Sequence, residues 1–141
     1  MSQRWRLATG GCINRSRPLR FFFNGRVLTG YEGDTLASAL IANGIRTVAR
    51  SFKYHRPRGI VGVGAEEPNA IFQVGEGRKT VPGLRATQVE LYEGLTAHSV
   101  NGWPSVEFDL YAINDLIGGL LPAGFYYKTF MWPRSFWKRY E

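Results

Sequence analysis

Residues 21–44, FFFNGRVLTGYEGDTLASALIANG, constrain this chain more than any other stretch. Two apolar runs flank Asn24-Gly25. A type I′ turn needs positive φ at both central residues, and Asn-Gly suits that pair, so the dipeptide predicts a two-residue hairpin. Asp34 stands where its carboxylate can cap a first helical turn. Leu36, Ala37, Leu40 and Ile41 share one helical face, and Gly44 can supply the left-handed residue that ends the helix. The stretch therefore predicts an α+β chain, a small mixed sheet with one helix packed across it.

The rest of the chain is read onto that platform. Residues 1–18 read as an irregular arm, broken by Gly10, Gly11 and Pro18, and either floppy or pinned against a partner. The first strand is expected over 19–23 and its hairpin mate over 26–31. Further strands are expected over 69–74, 87–92 and 95–100, with residues 75–84 as a loop. Ala70, Phe72 and Val74 fall on one face of the first of these. Trp103-Pro104 marks a boundary, and Leu110, Ile113, Leu116, Ile117 and Leu120 form a helical stripe within 108–121. The expected organisation is an arm over 1–18, a sheet domain over 19–102 and a helical, aromatic-rich extension over 103–141. The chain stops abruptly at Tyr140-Glu141, which predicts a longer parent polypeptide.

Charge and residue chemistry narrow the function. A formal net charge of +7 asks for an anionic partner, either nucleic acid or acidic surfaces on other subunits. No apolar run approaches the ~20 residues that span a bilayer, and the N-terminus lacks a signal-peptide core, so the cytoplasm is expected. His55 and His98 stand far apart, Cys12 is alone, and Glu66-Glu67 are adjacent, so no metal-ligand pattern is present. The run 59–64, GIVGVG, is rich enough in glycine to cradle a phosphate, but its spacing matches neither a dinucleotide fingerprint nor a P-loop. The best candidate site is the basic loop of Lys53, His55, Arg56 and Arg58, with Tyr54 among them. Guanidinium forks bind phosphate or carboxylate, and the aromatic interleaving also suits single-stranded nucleic acid. A solvated loop or a subunit contact explains the same residues. In the C-terminal stretch Phe125, Tyr126, Tyr127, Phe130, Trp132, Phe136 and Trp137 crowd together, as residues do at an interface or in a tail folded back over the sheet.

The segments RPLRFFFNGRVLTGYEGDTLASALIANGIRTVARSFKYHRPRGIVGVGAEEPNAIFQV and LLPAGFYYKTFMWPRSFWKRYE resemble the N-terminal part of the alpha-subunit family of heterotetrameric bacterial sarcosine oxidases. The resemblance runs from about Arg6 to the end, and SFKYHRPRG and AGFYYKTFMWP carry its specificity. It implies a β-grasp domain of the 2Fe–2S ferredoxin type. In the related ferredoxin-like domains of amine and opine dehydrogenases, PRG is followed by a loop of cluster-ligating cysteines. Here Pro57-Arg58-Gly59 is followed by IVGVGAEEPNA, without a cysteine, so the resemblance implies a ferredoxin fold that binds no cluster.

The same resemblance implies an assembly of alpha, beta, gamma and delta subunits. Such an enzyme, an oxidoreductase acting on CH–NH groups with oxygen, demethylates sarcosine to glycine. It passes electrons from FAD to FMN to oxygen, releases hydrogen peroxide and hands the one-carbon unit to tetrahydrofolate. NAD, FAD, FMN and tetrahydrofolate belong to the whole complex. No GxGxxG occurs here, so NAD binding carries over to no residue of this chain, and neither does folate binding or a catalytic role. The implied role is structural docking, with the tail aromatics buried against the rest of the alpha subunit or the beta subunit. The basic loop is then a flavin-phosphate or subunit contact. The reading that competes is a stand-alone basic module for nucleic acid or another anion.

Overall fold

The computed structural model describes residues 3–117. The chain runs β1 (Asn14–Phe23), β2 (Arg26–Glu32), α1 (Leu36–Ala42), β3 (Ala49–Arg50), β4 (Pro57–Arg58), β5 (Ile71–Val74), β6 (Val81–Arg85), β7 (Leu95–Ser99) and α2 (Ile113–Leu116). Among the described residues, five strands form a mixed sheet in the order β2-β1-β7-β5-β6. β1 pairs antiparallel with β2 and parallel with β7, and β5 runs antiparallel to both β7 and β6. β3 and β4 make a separate two-stranded ribbon.

The hairpin forms as its dipeptide predicts. Asn24 and Gly25 have φ of 48° and 77°, the left-handed pair that a type I′ turn requires. α1 ends at Gly44 with φ 76°, also as expected. Its start differs. Thr35, not Asp34, is the N-cap, and its side chain accepts from the Ser38 amide while Ser38 Oγ accepts from the Thr35 amide. Asp34 is turned into the interior by Arg6. The buried face of α1 comprises Leu36, Ala37, Ala39, Leu40 and Ala42, whereas Ile41 is exposed. That face meets Phe21, Phe23, Leu28, Phe72, Leu91 and Leu95 in one apolar core, with the Phe23 and Phe72 rings 5.0 Å apart.

Four further expectations are corrected. β1 begins at Asn14, inside the expected arm, because Asn14 pairs with Glu32 across a bulge before Pro18. Residues 75–84 contain a 3₁₀ turn and most of β6, which lies on the sheet edge where the missing N–H of Pro82 is tolerated. Residues 87–92 are not a strand despite their alternation. Their backbone is used by the helix start instead: the Leu36 amide donates to Val89 O, the Ala37 amide to Ala86 O, and the Leu91 amide to Asp34 O. The helix expected over 108–121 is, among the described residues, a 3₁₀ turn at Leu110–Ala112 followed by α2, with Leu110, Ile113 and Leu116 exposed.

The arm is pinned to its own domain. The Arg6 guanidinium forms a fork with the buried Asp34 carboxylate at 3.0 and 2.6 Å and lies over the Tyr31 ring.

Candidate functional site

The basic loop leaves β3 at Ser51 and returns at β4. Three hydrogen bonds close it, His55 N to Ser51 O and Arg56 N to Ser51 Oγ at 3.0 Å, and Ser51 N to Arg56 O at 2.9 Å. His55 takes a left-handed φ of 52°, uncommon for a residue with a Cβ, which turns its ring toward the segment after β7. There His55 Nδ1 meets Asp109 Oδ2 at 2.6 Å, and the ring lies 5.2 Å from Tyr111. Burial pushes the Asp109 carboxyl up. The bond from His55 and the amides of Trp103 and Tyr111 outweigh it, and the carboxyl is held below the usual range.

Arg56 Nε donates to Asp115 at 2.7 Å, and its guanidinium covers the Tyr54 ring at 4.7 Å. The Asp115 bond also raises the Arg56 pKa. The Lys53 ammonium lies 4.9 Å from the same ring. Arg58 belongs to β4, exposed, its backbone paired with Ala49. The structure thus brings His55 and Arg56 onto one segment, residues 109–115, and leaves Arg58 on the ribbon.

Sequence reasoning missed Arg50, Asp109 and Asp115. Arg50 donates to the carbonyls of His55, Val106 and Glu107 at 2.7 to 3.0 Å, clipping the loop to residues 106–107. A cavity of about 500 Å³ opens beside this cluster, lined by Ser51, Phe52, His55, Trp103 and Tyr111 among others. The two acids stand six residues apart within the expected helical span 108–121, yet nothing in their spacing ties them to a loop more than fifty residues upstream. The tail aromatics Phe125, Tyr126, Tyr127, Phe130, Trp132, Phe136 and Trp137 lie outside the described residues.

The glycine-rich run is the second organised loop. Glu67 is fully buried, and its carboxylate accepts from the amides of Val61 at 2.8 Å, Gly62, Asn69 at 2.8 Å and Ala70 at 3.0 Å. Glu66 accepts from Val63 and Gly64 at 2.8 and 2.9 Å. Burial pushes the Glu67 carboxyl up, but its four amide donors prevail and hold it below the usual range; amides alone lower Glu66. A Cβ on Gly62 would come within 2.9 Å of Glu67 Cα, so the close approach needs glycine.

Residues 16–102 match the family described as the 2Fe-2S iron-sulfur cluster binding domain. The chain belongs to that family. It is also similar to sarcosine oxidase subunit alpha of Rhizobium meliloti (strain 1021), 58% identical over 135 residues, which are 96% of this chain and 14% of the relative. The subunit of the same description from Corynebacterium sp. (strain U-96) is 41% identical over 96 residues, 66% of this chain and 10% of the relative. Among solved structures, L-proline dehydrogenase from P.horikoshii aligns with a TM-score of 0.50 and 25% identity, over 65% of this chain and 17% of that one. The chain thus spans a small part of the proteins it matches.

The cluster after which the family is described does not fit this chain's donors. A 2Fe–2S centre is held by a set of cysteine thiolates. The sequence holds one cysteine, Cys12, exposed in the arm. Among the described residues no group of three or more His, Cys, Asp or Glu gathers to hold a metal.

Proposed function

We propose that this chain is a non-catalytic structural and docking domain of the alpha subunit of a multisubunit sarcosine oxidase. The observation that carries the reading is the 58% identity over nearly the whole chain to such a subunit, joined to a ferredoxin-type sheet whose loop has no thiols. The order hairpin, crossing helix, then a strand parallel to β1 supports a β-grasp fold. On this reading residues 19–102 are the domain, and 103–141 lead toward a Rossmann domain of the same subunit. The whole complex, in the cytoplasm, oxidatively demethylates sarcosine to glycine with FAD, FMN, NAD and tetrahydrofolate as its cofactors. Its other subunits are this chain's partners. No helix among the described residues is long and apolar enough to cross a membrane.

The basic loop serves this role as a clasp. His55, Arg56 and Arg50 grip residues 106–115, the segment that precedes in sequence the aromatics proposed to dock. On this reading Lys53 and Arg58, the latter on the ribbon, are further candidate subunit or flavin-phosphate contacts. The deciding experiment expresses the full-length gene with its neighbouring subunit genes and reads subunit content and absorbance. A yellow multisubunit complex that turns over sarcosine is expected. A colourless single chain sinks the proposal. Replacing Arg56 and Arg58 together by Ala then tests the loop: unchanged flavin content and assembly would remove it from the junction.

A further inference from the structure

The loop over residues 59–70 has the construction of an anion-binding site. Consecutive backbone amides of Val61 and Gly62 point at one carboxylate oxygen of Glu67, and those of Asn69 and Ala70 at the other. Converging amides of this kind form a concave nest with fixed positive partial charge, the arrangement that elsewhere receives phosphates and iron–sulfur centres. Here the anion comes from the loop itself. No cationic side chain reaches the carboxylate among the described residues; Arg85, the nearest to donate, bonds the Glu67 backbone carbonyl at 3.2 Å. The amides alone answer the charge. The surroundings fix the nest: Asn69 Nδ2 donates to Gly59 O, and Thr87 Oγ1 to Gly64 O.

We propose that Glu67 is a built-in ligand that replaces an external anion in this loop, and that removing its carboxylate turns the nest into a binding site for a small carboxylate. The inference rests on the amide geometry and is independent of the oxidase reading. The atoms lost in Glu67→Ala are a methylene and a carboxylate, which together amount to acetate. Acetate is therefore the matched probe and formate a smaller one.

The experiment measures thermal unfolding of the full chain as wild type, E67A and E67Q against sodium acetate, sodium formate and sodium chloride at equal ionic strength and pH 7. E67A is expected to melt roughly 5–10 °C lower, from the unsatisfied buried amides, and to regain at least half of that loss as acetate saturates. Chloride is not expected to restore it, and wild type and E67Q are expected to ignore acetate because their nests are filled. Acetate acting equally on wild type and E67A, or no rescue of a folded E67A, overturns the proposal. Should E67A not fold, amide hydrogen exchange in the wild-type chain decides. Strong protection of Gly62 and Ala70 is expected, and exchange at the rate of an open loop overturns the idea.

Discussion

Three acids are buried among the described residues, Asp34, Glu67 and Asp109, and the first two are answered in opposite ways. Asp34, at the start of α1, is neutralised by a guanidinium brought from the N-terminal arm, with help from the Tyr31 amide and the Ser38 hydroxyl. Glu67 is answered by backbone amides, all from residues within six positions of it. One region ties distant parts of the chain together. The other closes a loop upon itself. A charge met by a side chain is lost when that single partner goes; a charge met by the backbone is lost only if the loop changes shape.

The largest effect is expected at the long-range acid. Asp34→Ala leaves the mostly buried Arg6 without its partner and should cost about 3–5 kcal/mol in denaturant unfolding. Arg6→Ala should cost less, since Asp34 keeps its hydroxyl and amide donors. Equal losses would break the contrast.

Next comes the loop's own shape. Gly62→Ala places a methyl against the Glu67 backbone and should cost about 1–3 kcal/mol by thermal unfolding, with the Asp34 region untouched. A neutral outcome would mean that the nest tolerates rearrangement.

Acid sharpens the comparison further. The Glu66, Glu67 and Asp109 carboxyls are held below their usual range. Their contribution is complete above the unfolded-state carboxylate value of about 4 and is lost as pH falls through the lower native values. Tm is expected to hold from pH 7 to about 5 and to fall below about 4, with the wild-type and E67Q curves converging at the acid end. Parallel curves would remove Glu67 as an acid-sensitive group.

Thr35→Ala removes one side-chain cap from α1 and should cost about 1 kcal/mol, read from the same melts. Smallest of all is Arg56→Ala. Its ion pair with Asp115 is exposed, so no measurable change in Tm is expected. A Tm drop comparable to that of Thr35→Ala would show the clasp to be part of the folding unit.

The two regions also differ in how far they could be read ahead. Asn24-Gly25, the α1 face and Gly44 were legible because each depends on neighbours a few residues away. The cap was misplaced by one residue because Asp34 and Thr35 are both good caps, and only Arg6, from beyond the local window, decides between them. The alternation of residues 87–92 is real, but the helix start takes their hydrogen bonds. The glycine-rich run was legible as a loop but matched no anion-binding motif, and adjacent glutamates give no sign in sequence that one folds back into it.

By itself the amino-acid sequence determined the hairpin, the crossing helix, the α+β class, the resemblance to sarcosine oxidase alpha subunits and the lack of cluster thiols. These follow from local dihedral preference, from periodicity and from residue identity. Only the tertiary structure decided that the arm is pinned through Arg6, that Arg50, His55 and Arg56 grip residues 106–115, and that Glu67 sits at the centre of the glycine loop. Each of these joins groups whose meeting depends on the path of the whole chain, and charge at a position does not reveal which partner the fold will bring to it.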